Sequence, residues 1–130
     1  MKIPIVLKLP NEMDPKIRKK ARSQRARHGW SDWDFMNADG YLLGIIACMA
    51  EHKKESPTYP GAFHAFDTGD LVEYATEKQW DEELTKVRDA CWILLKRQFE
   101  PFHPSYLERL DAIQMKLFTW LGHNLQAMWD

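Results

Sequence analysis

Apolar residues recur at intervals of three and four over most of this chain, the spacing of helices that bury one face. The pattern is cleanest at 76–98. Trp80, Leu84, Val87, Cys91 and Leu94 fall at i, i+4, i+7, i+11 and i+14, and Trp92, Leu95 and Phe99 make a second stripe beside them. Thr76 and Gln79 form a capping box at its start, and Pro101 and Pro104 end it. A further helix opens at Ser105 with Glu108 as box partner. Leu110, Ile113, Leu117, Leu121 and Leu125 line one face of it, and Phe118, Trp120, Met128 and Trp129 widen its apolar surface. Earlier in the chain, Asp14-Pro15 reads as an N-cap followed by proline at the first helical position, and His28-Gly29 ends that helix. The next starts at Ser31, with Asp34 completing a box and Trp30 and Phe35 at the positions of a hydrophobic staple, and ends near Lys54.

The predicted fold is therefore all-α, with four helices in a single domain over 1–130. Pro4 and Pro10 bracket an apolar run at 3–9, so 1–13 reads as an extended arm. Residues 55–75 form a long loop. Tyr59-Pro60-Gly61 is a turn within it, and 63–66 can pair with 71–74 across 67–70 as a small hairpin.

Charge changes this picture more than composition does. The net charge of −1 over 130 residues conceals nine Lys/Arg against two acids in 1–30, and nine against seventeen in 31–130. Such a basic block either attracts the acidic remainder or meets an anionic partner. The acidic remainder argues against an extended nucleic-acid footprint. Cys48 and Cys91 lack metal-knuckle spacing and read as reduced thiols of a cytoplasmic protein. No apolar run nears the roughly 18 residues of a membrane span, and the first ten residues are too interrupted for a secretory leader.

Two features carry candidate chemistry. On a wheel of the 31–54 helix, Phe35, Leu42, Leu43, Ile46, Met49 and Ala50 define an apolar arc with Asp39 in its middle, and Asn37, Cys48 and Glu51 opposite. A carboxylate on a buried face needs a partner. Asp39 is then bridged to an arginine of the first helix, pinning the two helices, or exposed to a polar cavity where it accepts a ligand's donors, or, as the least favoured reading, a catalytic carboxylate. The second feature is the first helix itself: Lys16, Arg18, Lys19, Lys20, Arg22, Arg25 and Arg27, with no acid over 16–27. That run is either a solvated face or a phosphate-binding one, with Trp30 and Trp33 close by to stack on a base. His64, Asp67 and Asp70, with His103 and His123, lack the spacing of a metal site, so no metal, cofactor or catalytic residue is assigned. Gly40 and Gly44 mark a small face for close helix approach.

The segment Gly29-Trp30-Ser31-Asp32-Trp33-Asp34-Phe35-Met36-Asn37-Ala38-Asp39-Gly40-Tyr41-Leu42 resembles a family of small helical proteins from tailed phages and prophages. Tyr59-Pro60 and Glu77-Lys78-Gln79-Trp80-Asp81 match later pieces of the same pattern, so the resemblance spans roughly 16–98. The chain departs from it by inserting 61–75 and by adding the last helix. The resemblance implies a phage source and a helical fold; with the reduced thiols, the expected place is the cytoplasm of the infected host cell. It implies no reaction.

The leading expectation is a non-enzymatic accessory protein that counters host defence by sequestering a small phosphorylated or cyclic-nucleotide-type signal. Arg22, Arg25 and Arg27 would hold phosphate, Trp30 and Trp33 would stack, Asp39 would accept donors, and Tyr41 and Tyr59 would lie near the site. The alternative is a protein–protein module, by default a homodimer, using Trp120, Trp129 and the N-terminal arm. Further rivals are a metal-dependent phosphodiesterase on His64, Asp67 and Asp70, and a nucleic-acid binder on the first helix.

Overall fold

The computed structural model describes residues 7–96 and 104–129, apart from the side chains of 104–106 and of Trp129. The arm at 1–6, the place of Phe99 and Pro101 at the end of the Trp80 helix, the Ser105 cap and the Trp129 side chain lie outside the described residues. Among the described residues there are five helices and one two-stranded sheet: α1 (Pro15–His28), α2 (Asp32–Met36), α3 (Ala38–Lys54), β1 (Ala62–His64), β2 (Leu71–Glu73), α4 (Glu77–Lys96) and α5 (Pro104–Trp129). No helix of the described residues is long and apolar enough to cross a membrane.

The chain is mostly helical, as its periodicity predicts, but the expected second helix is two. Asn37 breaks it, with φ −119° and ψ 41°, and its amide nitrogen donates to the Trp33 carbonyl at 2.9 Å. A short amide side chain that takes a backbone partner competes with the helical ladder. The break also accompanies a change of face. The buried side of α3 is Gly40, Leu43, Gly44, Ile46, Ala47 and Ala50, whereas Asp39 is exposed. Phe35 and Met36 are 76% and 83% exposed, and Leu42 and Met49 are also largely outside. Size misleads the wheel here: the small residues face inward because they let α3 pack closely along α4. The Trp30–Phe35 staple consequently does not form, and Trp30 lies against His28 with ring centroids 4.6 Å apart.

The cap signals hold. Asp14 accepts from Lys16 N–H at 2.8 Å, Gly29 takes the left-handed conformation with φ 91°, and the Ser31–Asp34 and Thr76–Gln79 boxes are reciprocal. Residues 10–13 close in a turn, Met13 N–H to Pro10 carbonyl at 3.1 Å, and so are not extended.

The core gathers on α4. Trp80, Leu84, Val87, Cys91 and Leu94 are all buried, and so is Leu95 of the second stripe. On α5 the buried line runs Leu110, Leu117, Trp120, Asn124 and Met128, so Leu125 is left exposed, and Trp120 is core rather than docking surface. Trp80 stacks on Trp120 at 6.0 Å and touches Phe63 of β1 at 5.5 Å. The hairpin pairs Ala62 with Glu73, Phe63 with Val72 and His64 with Leu71.

Asn124 fixes the hairpin to α5. Its Oδ1 accepts from His64 N–H at 2.7 Å and its Nδ2 donates to the His64 carbonyl at 2.9 Å, so a side chain takes the part of a third strand. Asn124→Ala would leave both backbone groups unpaired, at about 1–3 kcal/mol for a buried orphan. The expected result is a lower melting temperature with faster hydrogen exchange at His64 N–H than at the α3 amides. Equal acceleration everywhere would show that Asn124 does not hold the hairpin in particular.

Candidate functional site

Helix α1 owes little to apolar burial. Ala21 is its one buried residue, Ile17 is exposed, and most of the rest is polar or charged. Such a helix needs polar anchors. Three side chains supply them: Arg18 donates to the Pro10 carbonyl, Arg25 donates to the Leu7 carbonyl at 2.6 Å, and Gln24 exchanges hydrogen bonds with the side chain and backbone N–H of Asp32 at 3.0 and 2.9 Å. Arg25 also grips Asp34 of α2 with two bonds, Nε to Oδ2 at 2.7 Å and Nη2 to Oδ1 at 2.5 Å. A parallel pair of this kind is the strong form of a charge-assisted hydrogen bond.

Asp34 is buried, and every contact it makes favours its charge. Its Oδ2 accepts from the backbone N–H and the hydroxyl of Ser31, both at 2.8 Å. Burial alone would raise this carboxyl, but the Arg25 guanidinium and the two Ser31 donors outweigh it and hold it below the ordinary aspartate range. A second tie closes the corner, where the Tyr41 hydroxyl donates to the Gly29 carbonyl. The expected arginine bridge between the first two helical segments therefore exists, but its acid is Asp34 and not Asp39.

The assigned residues divide accordingly. Arg25 and Tyr41 meet at the 29–34 corner and are spent on structure, and Trp33 is half-buried beside them in sequence. Arg22 and Arg27 are exposed on α1, and Trp30 is 50% exposed at its C-terminal end. Asp39 is exposed in the first turn of α3. Tyr59 is exposed and follows the C-terminal end of α3, a 17-residue helix roughly 25 Å long that begins at the corner.

What remains open to a ligand is a cationic surface. Lys16, Lys20 and Arg27 lie along one line of α1, with Lys19 and Arg22 on the adjoining line. Lys20 sits 3.7 Å from exposed Asp32, and the other four have no bonded acid among the described residues. From Lys16 to Arg27 the line extends for about 16 Å. His28 and Trp30 offer ring faces at its end.

Metal and nucleophile chemistry find less support. Among the described residues, no group of three or more His, Cys, Asp or Glu could hold a metal ion. Burial pushes the Cys91 thiol up to about 12 and raises Cys48 as well, so neither is a ready thiolate.

The sequence reading missed two buried polar residues, Glu83 and Asn124. Glu83 lies three residues after Trp80 and Asn124 four after Trp120, both at stripe spacing, so each was marked as inward-facing by the rule that found the core. Glu83 accepts from Phe66 N–H at 2.9 Å, and burial raises its carboxyl against that bond. No protein-family model, curated protein or solved structure matches the chain.

The corner makes a prediction about pH. Arg25→Ala strands a buried carboxylate and should cost about 3 kcal/mol at pH 7. Because the folded Asp34 carboxyl lies below its unfolded value near 3.9, its stabilisation is complete above that value and is lost as pH falls through the folded one. Urea midpoints should therefore drop more steeply below about pH 4 for the parent than for Asp34→Asn. Identical acid limbs would remove Asp34 as the titrating group.

Proposed function

We propose that this protein is a non-enzymatic binding protein for a phosphorylated, nucleotide-type ligand, held on the exposed cationic surface of α1. The observation that carries the reading is the division of labour on that helix. Arg18 and Arg25 dock it, while Lys16, Lys19, Arg22 and Arg27 face solvent without a bonded acid among the described residues. Guanidinium and ammonium groups spread over about 16 Å suit a ligand with two or more phosphates. Trp30 and His28 would stack on its base. Asp39, exposed near the start of α3, is free to accept ribose or base donors. With the phage resemblance of 29–42, the reading is that of a phage accessory protein that withdraws a host's cyclic-nucleotide-type defence signal.

The test is a melting series with cyclic dinucleotides, ADP-ribose and short oligonucleotides. At a hundred times the dissociation constant, binding to the folded state adds roughly 2.7 kcal/mol, a rise of several degrees at this chain length. The Lys16→Gln/Arg22→Gln/Arg27→Gln variant should abolish that rise and keep the parent's unliganded melting temperature within a few degrees. A ligand that stabilises parent and variant equally would place binding elsewhere.

A second reading rests on a different observation. Phe35 and Met36, adjacent on α2, are 76% and 83% exposed, and Leu42 and Met49 of α3 are partly exposed as well. Self-association is the first use of such side chains. Light scattering should then give a dimer that becomes a monomer in Phe35→Ser/Met36→Ser. A monomeric parent at high concentration would dismiss this reading.

A further inference from the structure

The hairpin and α5 enclose a cleft of about 250 Å³ that the basic helix does not touch. Its polar lining is His64, Asp67, Thr68, Lys116, Thr119 and His123, and Phe66 and Trp120 form an apolar floor. Helix geometry gathers half of the polar set: Lys116, Thr119 and His123 fall at i, i+3 and i+7, one face of α5 beside the buried line. Asn124 supplies the other half by clamping His64, and the turn that follows it, against that face.

The ammonium and hydroxyl donors of the cleft have no bonded acceptor among the described residues. The lining carboxylate, Asp67, bonds to Lys86 of α4 at 2.9 Å, and that hydrogen bond keeps its charge and lowers its affinity for protons. Lys116 adds its charge to that effect on Asp67 without a hydrogen bond to it. Thr68 Oγ1 accepts from Asp70 N–H at 3.2 Å, which leaves its own hydroxyl proton to give. His64 Nδ1 lies 3.1 Å from the Gly69 carbonyl; a carbonyl only accepts, so the proton sits on Nδ1, and Nε2 of the neutral ring is an acceptor, open to the O–H of a phosphomonoester. The two imidazoles stack at 4.6 Å with 26° between their planes. Two further acids stand near the cleft but do not line it: Glu83, which accepts from Phe66 N–H, and Asp70, which is exposed in the turn.

We propose that this cleft is a second binding site, taking a small phosphomonoester. Lys116, Thr68, Thr119 and the histidine pair would receive the phosphate, and the Phe66–Trp120 floor the organic group. One ammonium with two hydroxyls and two imidazoles matches a single phosphate better than a chain of them. The volume lies just below the range for drug-sized ligands, which sets the size of the ester. The site is independent of α1 in both residues and position in the fold.

The experiment follows the His64 and His123 ring signals by NMR in the full chain at fixed pH and ionic strength. The titrants are phenyl phosphate, inorganic phosphate and phenol. Saturable movement of both rings is expected with phenyl phosphate, weaker binding with inorganic phosphate, and none with phenol. Lys116→Gln should weaken phenyl phosphate at least tenfold, or about 1.4 kcal/mol. Arg22→Gln/Arg27→Gln should leave the titration unchanged, so failure here and failure of the α1 reading are separate results. Rings that respond to phenol as they do to phenyl phosphate, or to none of the three, overturn the proposal. So does a parent-like titration in both Lys116→Gln and Thr119→Val.

Discussion

Two indoles set the layout of the protein. Trp80 of α4 and Trp120 of α5 are buried and stacked at 6.0 Å, with Phe63 of β1 against the first of them. Large rigid rings fill volume that no neighbour can take over, so helices and hairpin must meet where these rings are. The rest of the apolar core packs outward from that contact. Leu84, Val87 and Cys91 extend it along α4 toward α3, and Leu117 and Leu110 extend it along α5. The hairpin is too short to be stable alone and exists because Phe63 reaches the stack and Asn124 completes its hydrogen bonds.

Helix α1 follows other physics. It adds Ala21 to the interior and nothing larger. Its place depends on one buried ion pair, Arg25 with Asp34, and on carbonyls of the preceding segment. A bidentate guanidinium fixes orientation as well as distance. The sequence that looks like one undivided basic run thus holds two kinds of cation, those that build the corner and those that face the solvent.

How much of this could be read from the residues depended on whether one face or two carried the signal. On α4 the large apolar residues and the buried residues are the same set, so its stripe and its caps were legible. On α3 the two sets overlap only in part. Leu43, Ile46 and Ala50 of the apolar arc are inside together with Gly40, Gly44 and Ala47, while Leu42 and Met49 are outside, so a wheel that weights residues by size is turned to one side of the buried face. Asp39 inherited its buried assignment from that error. The Ser31–Asp34 box was legible because both partners are local. Its third member, Arg25, comes from another helix, and nothing in the spacing separates it from Arg22 or Arg27. Glu83 and Asn124 stood in plain register with the core and were passed over because they are polar.

The like charges of α1 crowd one another. Lys16 with Lys19 and Lys20, and Lys19 with Arg22, stand three or four residues apart, where each such pair weakens a helix by a few tenths of a kcal/mol. That repulsion is stored while the surface is bare and relieved when an anion covers it. If an anion binds there, occupancy and helicity would be linked, in both directions and with one coupling energy. The self-repulsion along α1 would then let the helix report, through its own order, the charge laid against it.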